Sequence, residues 1–211
     1  MEIDHWTPEF EWLRVEEKDR WMLDKLLLAK SLGYYCGPAG IDPERDIEYI
    51  VRPCVNVLGM GRGAYITDKE GAIRAEPGTF WCETFKGIHR SIDFYCGHVN
   101  GYCLGGKEGL RFTYWHREPN ELAPIHQIPT DLYFSLCKYQ RANVEMIGGK
   151  VIEVHFRSNP DLRHGVKEWW PVYFEDGSIP RNSGRYVDDE DGNRVGFCLG
   201  PKWEDGDDEE E

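Results

Sequence analysis

The segment Asn143-Val-Glu-Met-Ile-Gly-Gly-Lys-Val-Ile-Glu-Val-His-Phe-Arg-Ser-Asn159 decides how the chain reads. Two short runs rich in β-branched residues flank Gly148-Gly149, and glycine supplies the positive φ that a tight hairpin turn needs. Side chains alternate along a strand, which predicts Val151, Glu153, His155 and Arg157 on one face, opposite Ile152, Val154 and Phe156. Glu145 lies on the partner strand, and the turn can bring it to Glu153 at one end of a sheet. Hard divalent cations are held by one or two such carboxylates together with substrate phosphates. An ordinary hairpin with charged outward positions shows the same alternation. The rest of the chain bears on the choice.

Before the hairpin, Pro129-Thr130-Asp131 opens a helix through about Lys138, with Leu132, Phe134, Leu136 and Cys137 as its apolar face. Leu110–His116 reads as a strand, and Asn100-Gly101 as a hairpin turn. Residues 79–96 read as two strands joined around Lys86-Gly87. Earlier, a short strand at Ile47–Val51 ends in Arg52-Pro53, a glycine-rich loop with Gly59, Gly61 and Gly63 follows, and a second strand begins at Ala64. Glycines at alternate positions let backbone N–H groups approach a phosphate, and an arginine at the loop's root can neutralise it. Such loops are common, and this one is neither a Walker A loop nor a dinucleotide fingerprint. Residues 21–33 read as one helix stopped by Gly33. Residues 1–20 form an arm without clear periodicity, packed by Trp6, Phe10 and Trp12. Beyond Asn159, only short strands around Trp169-Trp170 and Arg194–Cys198 can be read.

A length of 211 residues allows one sizeable core or two small subdomains. The net charge of −13 is concentrated in two runs: seven acids within residues 203–211, and Asp188-Asp189-Glu190-Asp191. Both read as solvated and disordered, the tail as 201–211. The remainder is near neutral, so no nucleic-acid footprint is expected. No apolar run is long enough to span a bilayer, and no signal peptide is read. Seven cysteines without a framework spacing read as reduced and mostly buried, in a cytoplasmic protein. A zinc site at Cys96, His98 and Cys103 would need further ligands that no second pair at metal-site spacing supplies.

Three stretches, in this order, resemble the ATP-grasp superfamily, and most closely its carbamoyl-phosphate-synthetase-like members. They are Val51-Arg52-Pro53 with Leu58-Gly59-Met60-Gly61-Arg62; Glu83-Thr-Phe-Lys-Gly87 with Ser91-Ile-Asp93; and Asn143-Val-Glu145 with Ile152-Glu153-Val-His155-Phe-Arg157. Asp24-Lys25, Gly33 and Ala39-Gly-Ile41 are similar to the helix and turn that precede the Arg-Pro strand. The match covers roughly residues 21–160, and the chain looks like the compact stand-alone phage and bacterial type.

The resemblance implies an α+β fold of two subdomains with antiparallel sheets and a nucleotide cleft between them. A lid subdomain would span 21–80 and a larger one 81–200, after the 1–20 arm. It implies ATP and magnesium as ligands. Lys25, Arg52, Gly59, Gly61, Arg62, Gly63, Trp81, Cys82, Glu83 and Asp93 would bind nucleotide, with the backbone at Trp81–Glu83 meeting the adenine. Glu145, Glu153 and His155 would hold the metal, and Arg157 with Arg52 would stabilise transferring charge. The activity implied is a carboxylate–amine ligase, joining amino acids or peptides through an acyl phosphate, with a peptide or protein among the possible substrates. The departures are His155 in place of asparagine, His89 and Arg90 near an expected ribose-binding acid, and a short Ile41–Tyr49 segment. They point to the alternative, a degenerate nucleotide-binding or partner-binding protein.

Overall fold

The computed structural model describes residues 8–55, 62–174, 185–191 and 194–200. The N-terminal arm is regular after all: helix α1 (Pro8–Arg14) is followed by a 3₁₀ segment, Glu17–Met22. The single helix expected over 21–33 starts later, as α2 (Lys25–Ser31), because Asp24 caps it. Its Oδ1 accepts from the N–H groups of Leu26 and Leu27, both at 3.0 Å, satisfying donors that a helix start leaves orphaned. Gly33, at φ +73, follows the last turn as the sequence predicts.

Strands β1 (Cys36–Pro38), β2 (Tyr49–Pro53), β3 (Tyr65–Thr67) and β4 (Thr79–Glu83) form an antiparallel sheet ordered β1-β4-β2-β3, with helix α3 (Lys69–Ile73) beside β2 and β3. The chain then crosses to a second antiparallel sheet. It contains β5 (His89–Tyr95), β6 (His98–Glu108), β7 (Arg111–Glu118), β8 (Arg141–Ile147), β9 (Lys150–His155), β10 (Glu168–Tyr173), β11 (Arg185–Asp191) and β12 (Arg194–Leu199). Its order is β11-β12-β10-β7-β6-β5-β8-β9, and helix α4 (Thr130–Leu136) lies between β7 and β8 in sequence. The α+β expectation holds. The expected boundary at 80/81 does not: it cuts through β4, whose register with β1 and β2 keeps all of Thr79–Glu83 in the small sheet. The change of sheet falls in the segment 84–88.

Three other expectations are corrected. The turn before β6 is Cys96-Gly97, with successive φ values of 48 and 80, rather than Asn100-Gly101. Asn100 is instead the extra residue of a bulge, since Phe94 pairs with Val99 and Asp93 with Gly101. On α4, Leu132 and Leu136 are buried but Phe134 is 62% exposed. The acid run 188–191 is strand, not disorder, because Asp189 is tied to Arg163 at 2.7 Å and Arg194 at 3.5 Å. The acidic tail 201–211 lies outside the described residues. No described helix is long and apolar enough to cross a membrane, and all seven cysteines are free.

The main core lies on one face of the large sheet: Ile92, Phe94, Val144, Met146, Val151, Val154 and Phe156 pack against Met22, Leu28, Leu132 and Leu136. Each such side chain contributes about 1.5–3 kcal/mol on burial. A second cluster joins Ala29 of α2 to Phe80 and Cys82 of the small sheet. Leu28 and Ala29 are neighbours, so α2 is shared by both cores and fixes one sheet against the other.

The crossing segment touches the β8–β9 turn backbone to backbone. Gly148 N–H donates to Ile88 O at 3.2 Å, and a Cβ on Gly148 would come within 2.1 Å of Lys86 O. Gly148 also sits at φ +56. Gly148→Ala should therefore cost about 1–3 kcal/mol in equilibrium urea unfolding, combining backbone strain with the clash. Gly78→Ala, at φ +85 with nothing within 4 Å, should cost only the strain, about 1 kcal/mol. Equal losses at the two positions would show that the hinge contact is not tight.

Candidate functional site

The β8–β9 register sets the site. Glu145 pairs directly with Glu153 and Asn143 with His155, but Met146 pairs with Val151, so one residue, Ile152, is extra. A bulge puts consecutive side chains on one side of a strand. Ile152 and Glu153 both face the cleft, while Val151 and Val154 both enter the core. Strict alternation had placed Val151 beside Glu153; the bulge is why it is not there.

The cleft lies between the two sheets and has a volume of about 660 Å³. Ile50, Arg52 and Cys82 line it from the small sheet, and His89, Lys107, Glu145 and Glu153 from the large one. Among the described residues, seven lysines and arginines line it against four acids, although the whole chain carries −13. A cationic concavity in an acidic molecule selects for an anion.

Each carboxylate has a basic side chain beside it. Lys25, the first residue of α2 and 4% exposed, places Nζ 3.2 Å from Glu153 Oε1. His155 Nε2 lies 3.1 Å from the same oxygen. Burial opposes the charge on Glu153, but Lys25, then His155 and Arg52, hold its pKa well below the usual carboxylate range. His89, 3% exposed, presents Nε2 to Glu145 Oε2 at 3.0 Å. Burial lowers the His89 pKa against the pull of Glu145, so the ring is neutral. Its Nδ1 has no hydrogen-bond partner among the described residues. Arg52 donates through one Nη to Ile152 O at 3.3 Å, across from one sheet to the other, while its buried Nε lacks a partner among the described residues.

His155 is engaged by two acids in this arrangement, Glu11 at Nδ1 and Glu153 at Nε2. Burial and the Arg157 guanidinium disfavour its charge, yet the Glu11 and Glu153 carboxylates prevail and raise its pKa to about 9. An imidazolium has no lone pair to give. Among the described residues no three His, Cys, Asp or Glu side chains converge as ligands. Glu145 and Glu153 are the residues that could hold a magnesium ion together with phosphate oxygens.

Other expected residues divide. Arg62 and Cys82 line the cleft, as does Arg157. Gly63 sits at φ +77 in the turn before β3, and Gly59 and Gly61 fall outside the described residues. Trp81 is 4% exposed and packs on Tyr35 and Tyr49, away from the cleft. As a central strand, β4 spends its backbone at Phe80–Cys82 on β1 and β2, and Glu83 N–H donates to Tyr35 O at 3.0 Å. Backbone already paired on both sides cannot also bind a base. Thr84–Gly87, unpaired with either sheet, lines the cleft instead. Asp93 is also structural: its Oδ1 accepts from Asn143 Nδ2 at 2.8 Å and Asn159 N at 3.0 Å, and burial raises its pKa to about 6.

One residue escaped sequence reasoning. Glu11 of α1, 2% exposed, accepts the Phe156 N–H on Oε1, while Oε2 lies 3.3 Å from Arg157 Nε and 3.6 Å from His155 Nδ1. The only sequence signal was an acid flanked by Phe10 and Trp12 in the arm, on a helix too short for its periodicity to show.

No family model and no curated protein matches the chain by sequence. Solved structures do. N5-carboxyaminoimidazole synthetase from Staphylococcus aureus, solved with ADP, superposes at a TM-score of 0.65 with 8% identity, over 94% of this chain and 74% of that one. L-amino acid ligase from Bacillus licheniformis gives 0.59 at 14% identity, over 90% and 68%. An Archaeoglobus fulgidus protein assigned to the ATP-grasp superfamily gives 0.50 at 13% identity, over 84% of this chain and 64% of that one. The chain has the ATP-grasp fold, in about two thirds to three quarters of the length of these proteins.

Removing Glu11 should take the carboxylate from Arg157 and leave buried His155 with Glu153 alone. Glu11→Ala is expected to cost about 3–5 kcal/mol in unfolding free energy, and Glu11→Gln less, since its amide oxygen still accepts from Phe156 N–H. The His155 contribution has a defined sign. Its folded pKa of about 9 exceeds the unfolded 6.5, so the stabilisation is complete below pH 6.5 and is lost as pH rises through 9. Urea midpoints measured from pH 6 to 10 should fall over that window in the wild type and less in Glu11→Gln; parallel curves would remove Glu11 from the network.

Proposed function

We propose that the chain is an ATP- and magnesium-dependent carboxylate–amine ligase that works through an acyl phosphate. The observation that carries this reading is the cationic cleft between two sheets, with Glu145 and Glu153 in register at its floor, on a fold shared with an amino acid ligase and an ADP-binding synthetase. Phosphoryl transfer asks a protein for positioning and charge neutralisation, with little covalent chemistry. Arg52 and Arg62 contact phosphates from the small sheet, and Thr84–Gly87 receives the base. Glu145 and Glu153 would hold magnesium, which would supply neutralising charge to the phosphates. Lys25 and Lys107 add fixed positive charge beside them. An oxygen of the substrate carboxylate forms the new bond to the γ-phosphorus as the bond to ADP breaks. Arg157 stabilises the acyl phosphate. The amine nitrogen then bonds to the acyl carbon, inorganic phosphate leaves, and the amine gives its proton to solvent.

A second reading, a nucleotide-binding protein without turnover, draws on the pairing of Glu153 with Lys25 and His155. Carboxylates already neutralised have less need of a metal. Calorimetry with ATP separates the two: binding that ignores magnesium, without ADP release, supports the second.

Glu145→Gln is the cleaner test of the metal assignment. It removes charge beside a neutral histidine, whereas Glu153→Gln also strands buried Lys25. The expected outcome is loss of ADP release in both variants, with the unfolding midpoint kept in Glu145→Gln and lowered in Glu153→Gln. Wild-type ADP release from the double variant would overturn the assignment. Arg52→Ala should weaken ATP binding by about 1–3 kcal/mol in calorimetry, the value of a charge-assisted bond to phosphate.

A further inference from the structure

The small sheet sets two thiols opposite one another. Cys36 of β1 pairs in register with Cys82 of β4. Residues directly opposite share a face of the sheet, and both thiols pack in the cluster of Ala29 and Phe80. The ladder fixes which kind of pair they make. Glu83 N–H donates to Tyr35 O at 3.0 Å on one side, and Ala39 N–H to Thr79 O at 3.1 Å on the other. Hydrogen-bonded and open pairs alternate along an antiparallel ladder. Gly37 and Trp81 therefore make the bonded pair in between, and Cys36 and Cys82 an open one. Open pairs are the closer kind, with Cα atoms about 4.5 Å apart. That lies within the range a disulfide spans, about 4.4–6.8 Å.

Cys54 belongs to the same cluster but stands too far along the strand. Its N–H donates to Gly78 O at 2.9 Å, which sets it beside Gly78, four positions along β4 from Cys82. Four strand residues cover about 13 Å, beyond the reach of a disulfide. The two partners differ in access. Cys82 is 1% exposed and lines the cleft, whereas Cys36 is half-buried. Burial raises both thiols, Cys82 to about 12; at Cys36, Lys30 and Arg52 oppose it and Glu83 adds to it. An incoming reagent meets Cys36 first.

We propose that Cys36 and Cys82 are a thiol–disulfide site in the wall of the cleft, oxidised by a small-molecule disulfide such as oxidised glutathione and restored by a dithiol. The site stands independently of the ligase reading. The Cys36 thiolate attacks one sulfur of the oxidant, the other sulfur leaves as a thiolate, and a mixed disulfide forms on Cys36. Cys82 gives its proton to solvent, attacks Cys36 Sγ and expels the second thiolate. Two protein thiols become one disulfide while the oxidant's disulfide is reduced to two thiols, so atoms and electrons balance. The new bond closes residues 36–82 into a loop that contains β2, β3 and α3. Closing a loop constrains the unfolded chain, so the oxidised small sheet resists unfolding.

The full chain is incubated in mildly alkaline buffer with glutathione at graded ratios of oxidised to reduced form. Free thiols are then blocked, and the digested protein is read by mass spectrometry. The expected result is loss of two of the seven thiols, with one linked peptide pair joining Cys36 to Cys82 that dithiothreitol reverses. Cys36→Ser, at the half-buried position, should abolish the linkage, and Cys54→Ser should leave it intact. The urea midpoint of the oxidised wild type should exceed that of the reduced protein, and the two should coincide in Cys36→Ser. Retention of all seven thiols in fully oxidised glutathione would overturn the proposal, as would a mixed disulfide that stays on Cys36 or a linkage that bypasses Cys36 or Cys82. An oxidised midpoint no higher than the reduced one would overturn it too. ADP release enters no arm of the test, so failure here and failure of the ligase reading are separate results.

Discussion

The bulge at Ile152 is the constraint on which the site depends. A strand that alternated without interruption from Val151 to Phe156 would serve either the core or the cleft in register, but not both at once. With one extra residue, Val151, Val154 and Phe156 stay in the core while Ile152, Glu153 and His155 face the cavity. The same residue leaves its carbonyl available to Arg52, which spans from the other sheet. Two carboxylates set opposite one another at the floor of a partly buried cleft must then be neutralised, since unpaired buried charge is costly. Lys25 and His155 do this for Glu153, and His89 meets Glu145 with a ring nitrogen.

That requirement explains where α2 begins. Its first residue has to reach Glu153, and its backbone N–H is held by Cys54 O at 2.7 Å, next to the end of β2. Asp24 caps the helix there, so the cap, the Lys25 ammonium and the shared packing of Leu28 and Ala29 arrive together. A helix continued back to Trp21 would carry Lys25 in its interior, without the bond to Cys54.

Charge is partitioned within the molecule. The sequence is strongly acidic, yet many of its acids lie in the tail or are consumed as partners: Glu11 by Arg157 and His155, and Asp161 and Asp189 by Arg194. What remains facing the cleft is predominantly cationic. Burial of paired acids, rather than any excess of basic residues, creates the positive field. This is why a net charge computed over the chain gave no hint of an anion site.

Several features were legible in the sequence because they depend on local chemistry. Gly148-Gly149 and Gly33 demand positive φ, Asp24 and Lys25 sit where a helix start is served, and the acids of the hairpin stand eight positions apart around a two-residue turn. Together with the order of the Arg-Pro, hinge and hairpin motifs, these gave the two-sheet α+β fold and the Glu145–Glu153 pair. The remainder was decided in three dimensions. Nothing local announces that Ile152 is the extra residue, since a bulge is chosen by which side chains the core can accept. Asn100-Gly101 carries a turn signal, but the neighbouring Cys96-Gly97 took the turn and left Asn100 as a bulge in the longer pairing of β5 with β6. Trp81 and Asp93 look available in sequence, and lie away from the cleft because the strands beside them use their backbone or their side-chain oxygens. The role of Glu11 depends on a contact with Phe156 across 145 positions. Such pairings are set by packing and by the cost of leaving a buried charge unmet, and only the folded chain fixes which groups share the interior.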